Sequence, residues 1–274
     1  MRLWTDRGDA DMDLKLTGKR ALVCGGSSGL GRAVATALAA EGAHVALLSR
    51  NVEALQAVAD ELNAAGTGRA VVVTADLADH EALLRAVDAA EDLLGGHTEI
   101  LLNNTGGPPP SGVSNLEPAV WRDHFESMVL SIFRLTDRVL PRMRAAGWGR
   151  VLNVASITVV EPSAALGVSN TLRASVAAWA KTLANEVGPD GVTVNTLLPG
   201  RIDTPRIDRL DRATAERTGM TPEQARAESV KSIPVGRLGT PEEFGATAAF
   251  LASPLAAYVT GSLIRLDGGA VKTI

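Results

Sequence analysis

The chain has 274 residues, a formal charge of −4 and one cysteine, Cys24. An acidic balance argues against a nucleic-acid partner, whose phosphates call for clustered Lys and Arg, and a lone cysteine excludes an internal disulfide and fits a reducing compartment. Aromatics make up only 3%, so the core must rest on Ala, Val and Leu, which suit helix-on-sheet packing better than base stacking.

No apolar run reaches membrane-spanning length without Gly, Pro or charge interrupting it, and the first residues lack a signal-peptide apolar region. The expectation is a cytoplasmic protein with neither a membrane nor a nucleic-acid partner. Residues 1–14 read as a flexible extension and 15–274 as one domain.

From there, short apolar runs alternate with Ala-rich helical stretches, the signature of a parallel sheet. Strands are predicted at 20–24, 43–48, 70–74, 99–102, 150–155, 192–197 and 259–266. Helices are predicted at 29–41, at 51–65 with Asn51 as the cap, at 79–94, 118–146 and 164–187. Pro141 should kink the fourth of these or mark a late bend. The segment 202–232 is charged and punctuated by Thr and Pro, and reads as a lid over the sheet. Within it, residues 206–212 read as a solvated charged helix face or as a reader of an anionic substrate tail. The fold class is α/β: a single doubly wound parallel sheet of about seven strands with helices on both faces. Trp121, Trp148 and Trp179 read as packing anchors, and the four histidines as surface residues.

Between the first strand and first helix lies Cys24-Gly25-Gly26-Ser27-Ser28-Gly29-Leu30-Gly31. Glycines at 25, 29 and 31 let the backbone turn tightly and approach a pyrophosphate, whose charge the helix N-terminus stabilises. Gly25, Ser27, Ser28, Gly29, Leu30 and Gly31 are therefore candidate cofactor residues. The second strand ends Ser49-Arg50-Asn51, with no acid to accept from a ribose and repel a 2′-phosphate. Ser49 and Arg50 point to NADP(H), with NAD(H) possible, because a guanidinium pairs with phosphate. No metal site is expected.

The motif set resembles the short-chain dehydrogenase/reductase family, and within it 3-oxoacyl-carrier-protein reductases, from Lys15 to Gly269. The glycine turn resembles the family's TGxxxGxG motif, with Cys24 in place of the threonine. Asp76 and Leu77 resemble the pair that meets the adenine. Asn103-Asn104-Thr105-Gly106 is similar to the NNAG motif, and Pro199-Gly200 with Ile202 and Thr204 to the PGxxxT segment beside the nicotinamide. The resemblance implies a Rossmann-type fold, a homodimer or homotetramer, and a small carbonyl or acyl substrate.

It also implies a catalytic Asn, Ser, Tyr and Lys, and here the sequence departs. Ser156 falls at the serine position, Ser169 at the tyrosine position and Arg173 at the lysine position, while Met128 replaces the Asn. A serine hydroxyl is a poor general acid near neutral pH, and an arginine cannot shuttle a proton, although it can bind ribose or a carboxylate. Ser169 and Arg173, at i and i+4, share one helix face. Two function classes follow. One is an NADP(H)-dependent oxidoreductase with non-standard proton delivery through Ser156, Ser169 and Arg173. The other is a catalytically silent NADP(H)-binding sensor or structural partner of an active homologue. A lyase, isomerase or hydrolase using Ser156 or Ser169 is a lesser alternative.

Overall fold

Strand β1 (Arg20–Cys24) leads through a turn into α1 (Gly29–Ala40), followed by β2 (His44–Ser49), α2 (Val52–Ala65), β3 (Ala70–Thr74), α3 (His80–Leu94) and β4 (Ile100–Asn103). The second half runs through α4 (Pro118–Phe125), α5 (Ser131–Ala145), β5 (Gly149–Val154), α6 (Gly167–Val187), β6 (Val192–Pro199), α7 (Pro205–Thr218), α8 (Pro222–Lys231), α9 (Pro241–Ala252) and β7 (Leu263–Leu266). These elements are seen in a computed structural model that describes residues 12–274; most of the extension expected at 1–14 lies outside the described residues.

All seven strands are parallel, in the order β3-β2-β1-β4-β5-β6-β7. The inner strands are apolar runs because both faces are covered. One face buries Leu38, Leu47 and Phe244 beneath α1, α2 and α9, and the other buries Leu83, Val139 and Leu183 beneath α3, α5 and α6. The order reverses between β1 and β4, so a crevice opens at their carboxyl ends.

The strands and early helices stand within a residue or two of their expected bounds, and four differences have local causes. The helix expected over 118–146 is interrupted by a π-helical segment, Glu126–Leu130, while α5 runs on through Pro141. Here the Ser127 hydroxyl donates to Asp123 O at 3.0 Å and that of Ser131 to Ser127 O at 2.7 Å, so side chains compete for carbonyls the helix would use. Helix α6 begins at Gly167 rather than 164, because Ser111 N donates to Ala165 O and Gly167 N to Ser111 O, tying that stretch to the loop after β4.

The last strand begins at Leu263 rather than 259. Asn195 Nδ2 donates to Val259 O at 2.7 Å and Val194 N donates to Thr260 Oγ1 at 3.0 Å, so side chains replace ladder bonds there, and Gly261 turns with φ +64°. Finally, 202–232 folds as α7 and α8, and α9 follows where no helix was expected. Each of the three starts at a Thr-Pro pair, Thr204-Pro205, Thr221-Pro222 and Thr240-Pro241, a proline at the first helical position behind a capping residue.

The tryptophans pack as expected, Trp121 against the buried cluster of Met128, Val129 and Ile132. Trp179 stacks on Phe133 with ring centroids 4.5 Å apart. Trp148 receives Lys19 Nζ at 4.0 Å and the Arg150 guanidinium at 4.6 Å. No helix among the described residues is long and apolar enough to cross a membrane.

Candidate active site

The turn after β1 is built around positions where a side chain has no room. A Cβ on Gly31 would stand 2.2 Å from Gly25 O, and Gly25 and Gly29 hold φ of +68° and +55°, which L side chains resist. Asn104 Nδ2 donates to Cys24 O at 3.2 Å and pins the turn to the end of β4. Helix α1 starts behind an extended Ser28 that makes no side-chain cap bond, so its first amides stay available to an anion. Beneath the turn, Asn103 Nδ2 donates to Thr136 Oγ1 at 3.0 Å and to Asn153 Oδ1 at 2.9 Å, joining β4, α5 and β5. Burial pushes the Cys24 thiol up to about 12, which rules it out as a thiolate nucleophile at neutral pH.

At the end of β2, the buried Ser49 hydroxyl oxygen has no partner. Arg50 beside it is 78% exposed and reaches Asp76 Oδ2 at 3.5 Å; Asp76 also accepts from Ala78 N at 3.0 Å.

Across the crevice, Ser156 follows β5 in extended backbone and accepts from Thr158 N at 3.2 Å. Ser169 and Arg173 project from α6 and are 4% and 9% exposed. The Arg173 guanidinium donates to Ser169 Oγ at 3.3 Å, Val154 O at 2.9 Å and Gly106 O at 3.4 Å. Burial first, then the charge of Arg206, lowers its pKa to about 10, so it is a cation at neutral pH, held by neutral acceptors alone.

One cleft of about 580 Å³ joins the two halves. Every candidate cofactor and catalytic residue lines it except Gly31, which is buried in the turn's packing. The chain's one tyrosine, Tyr258, is fully exposed and does not line it. The cleft also gathers residues beyond the candidate cofactor and catalytic set. His124, Ser127 and Met128 line it from α4 and the π segment, and Arg206 and Arg209 from α7. His124 is thereby corrected from surface residue to cleft residue. The spacing of 124, 127 and 128 puts them on one helix face, so the placement of Met128 was the signal available.

A crevice at the sheet's switch point, with a glycine turn on one side and a serine–arginine group on the other, defines the class: an α/β oxidoreductase built around a dinucleotide. The chain belongs to the short-chain dehydrogenase/reductase family, the family model described as enoyl-(acyl carrier protein) reductase matching residues 25–271. It is 36% identical over 256 residues to a 3-oxoacyl-[acyl-carrier-protein] reductase FabG of Vibrio cholerae, covering 93% of this chain and 98% of the relative. It is 34% identical to the short-chain reductase protein NovJ of Streptomyces niveus, covering 91% and 92%. Among solved structures it superposes with a TM-score of 0.90 on L-sorbose reductase from Gluconobacter frateurii complexed with NADPH and L-sorbose, at 32% identity, covering 96% of this chain and all of that one. The activity class is that of an oxidoreductase.

Proposed function

We propose that the chain is an NADP(H)-dependent reductase of a small carbonyl or acyl substrate in which Ser156, Ser169 and Arg173 stand where the family's Ser, Tyr and Lys stand. The observation that carries this reading is the continuity of the cleft from the glycine turn to the Ser169–Arg173 pair.

The residues present fit the cofactor. Open amides at the start of α1 suit a diphosphate, and the glycine packing removes the Cβ atoms that would fill its place. The orphaned Ser49 hydroxyl beside the exposed Arg50 suits a 2′-phosphate better than a bare ribose, because both groups can donate to an anion. Asp76 and Leu77 border the adenine, Asn104, Thr105 and Gly106 the central part, and Pro199, Gly200, Ile202 and Thr204 the nicotinamide end. NADP(H), when bound, supplies or accepts a hydride. The sheet-end residues hold it and its partner in register, which by itself lowers the barrier.

At the carbonyl, the Ser156 hydroxyl donates to the oxygen and Arg173, already desolvated, stabilises the negative charge that develops there. The proton that completes the alcohol comes from water or from the substrate, since Ser169 is too weakly acidic and Arg173 holds its proton at neutral pH. Helices α7 and α8, spanning 202–232, serve as the lid. The reading carries a homodimer or homotetramer in the cytoplasm, a reducing compartment that suits the free Cys24.

The test is steady-state NADPH oxidation against a panel of ketones, oxo acids and 3-oxoacyl thioesters, together with the Kd for NADPH. Turnover of any panel member supports the reading; tight NADPH binding with no turnover of any of them sinks it. The double variant Ser169→Tyr/Arg173→Lys should gain activity. A folded double variant with no gain would count against the register.

A further inference from the structure

The electrostatics of the cleft are lopsided for a protein of net charge −4. Four arginines line it, Arg50, Arg173, Arg206 and Arg209, against a single carboxylate, Asp76, which is engaged by Arg50. Helix α7 sorts its charges by face. Asp208 and Asp211 turn away to Arg226, at 2.5 and 3.0 Å, and leave Arg206 and Arg209 over the cleft without an ion pair among the described residues.

Arg173 and Arg206 converge on consecutive peptide carbonyls: Arg173 Nη2 donates to Gly106 O at 3.4 Å and Arg206 Nη1 to Gly107 O at 3.3 Å. A Cβ on Gly107 would stand 2.7 Å from Arg206 Nη2, so the absence of a side chain there lets the guanidinium in. Two cations gathered in a half-buried site with only neutral acceptors are unfavourable unless an anion joins them. Burial lowers the pKa of both, and each feels a neighbouring guanidinium.

We propose, on the basis of the reductase reading, that this end of the cleft is an acid-binding subsite and that the substrate is an oxo acid, its carboxylate held by Arg206 and Arg173 with Arg209 adding to the field. The position selects the ligand. The anions of the cofactor belong with the α1 amides and with Ser49–Arg50 on the far side of the turn, whereas Arg173 bonds Ser169 and adjoins the wall carrying Ser156. A carboxylate there belongs to the same small molecule as a carbonyl beside Ser156, as in a 2- or 3-oxo acid, and a planar guanidinium pair receives it with charge-assisted bonds. An acyl thioester offers no charge at that place.

The experiment compares acetoacetate with methyl acetoacetate, and 2-oxobutanoate with its methyl ester, by kcat/KM with NADPH. The acid-to-ester ratio of the native protein is set against that of Arg206→Ala, so that intrinsic carbonyl reactivity cancels. The ratio should fall by about tenfold to a hundredfold in the variant and recover in part in Arg206→Lys. Arg209→Ala gives a smaller fall in the same direction and serves if Arg206→Ala does not fold.

An unchanged ratio overturns the subsite, even if esters or thioesters are turned over well and the reductase reading stands. An unchanged ratio with NADPH affinity lost in Arg206→Ala assigns the cluster to the cofactor and overturns it too. If nothing is turned over, the reductase reading fails, and calorimetric titration of the NADPH complex with acetoacetate decides the subsite separately. Binding lost in Arg206→Ala supports it, and no binding to the native protein overturns it.

Discussion

At the scale of single residues, the cleft is shaped as much by missing atoms as by present ones. Gly31 does not reach the cleft, yet it lets α1 start directly against the Gly25 peptide, since its Cβ would meet Gly25 O, Gly25 C and Cys24 O all within 2.8 Å. Those neighbours are backbone and cannot rotate away. Gly31→Ala should therefore destabilise the fold by about 3 kcal/mol and weaken NADPH binding together with it, measured by urea unfolding and by fluorescence titration. A variant with native stability and native affinity would refute this account of the turn. Asn103 makes a comparable case in polar form. Its amide nitrogen is satisfied by Thr136 and Asn153, while Oδ1 has no partner. Thr136→Val removes one acceptor from a buried donor and should cost about 1–3 kcal/mol, read as a lower urea midpoint at constant slope.

At the scale of elements, helix ends explain both what was legible in the sequence and what was not. The strands could be read because buried parallel strands are unbroken apolar runs, and α2 because Asn51 caps it with its side chain, as Asp79 does for α3. Helix α9 starts with an equally explicit signal: Thr240 accepts from Glu243 N at 3.3 Å and Glu243 accepts from Thr240 N at 2.8 Å. It escaped notice because its small apolar residues, Gly245, Ala246, Ala248 and Ala249, give little helical periodicity. The π segment was illegible for another reason, since serine back-bonding depends on rotamers that composition does not specify. The glycine turn, Ser49–Arg50 and the Ser169–Arg173 face were legible because each is contiguous or spaced by one helical turn. The arginines of α7 stayed open between a solvated face and an anion reader, because their position depends on how 202–232 packs on the rest of the chain.

The α9 cap also carries a pH dependence. The Arg237 guanidinium, and then the Thr240 amide, hold the Glu243 carboxyl down at about 2, from an ordinary value near 4.5. A folded-state pKa below the unfolded one gives stability that is present above the ordinary value and lost as pH falls toward the folded value. Glu243→Gln should thus lower stability at pH 6 and flatten the loss of Tm between pH 4.5 and 2.5. Thr240→Ala, which removes the other half of the box, should cost about 1 kcal/mol. Parallel melting curves for Glu243→Gln and the native protein across that range would contradict the assignment.

At the scale of the whole molecule, stability is unevenly shared between the sheet and the helices that overhang the cleft. Strands β1, β4 and β5 bury nearly every side chain. By contrast α7 buries only Ile207, Asp211 and Ala215, and α8 only Ala225. These two helices are held largely by charge. Asp211, 3% exposed, sits between Arg201 and Arg226, and Arg226 reaches Asp203 at 3.3 Å as well as Asp208. Elements with few buried apolar contacts open below the global unfolding free energy, and a buried carboxylate between two guanidiniums is the point where such an opening can be set. Asp211→Asn removes one charge, keeps the volume and leaves two arginines facing each other. Hydrogen exchange followed by mass spectrometry should then show amides of 205–231 exchanging at least tenfold faster than in the native protein, with β1, β4 and β5 unchanged. Raised salt should move the native protein in the same direction, because it screens the exposed members of the network. An Asp211→Asn protein whose sheet and α7–α8 amides accelerate together would mean that the two helices belong to the global unfolding unit and do not open separately.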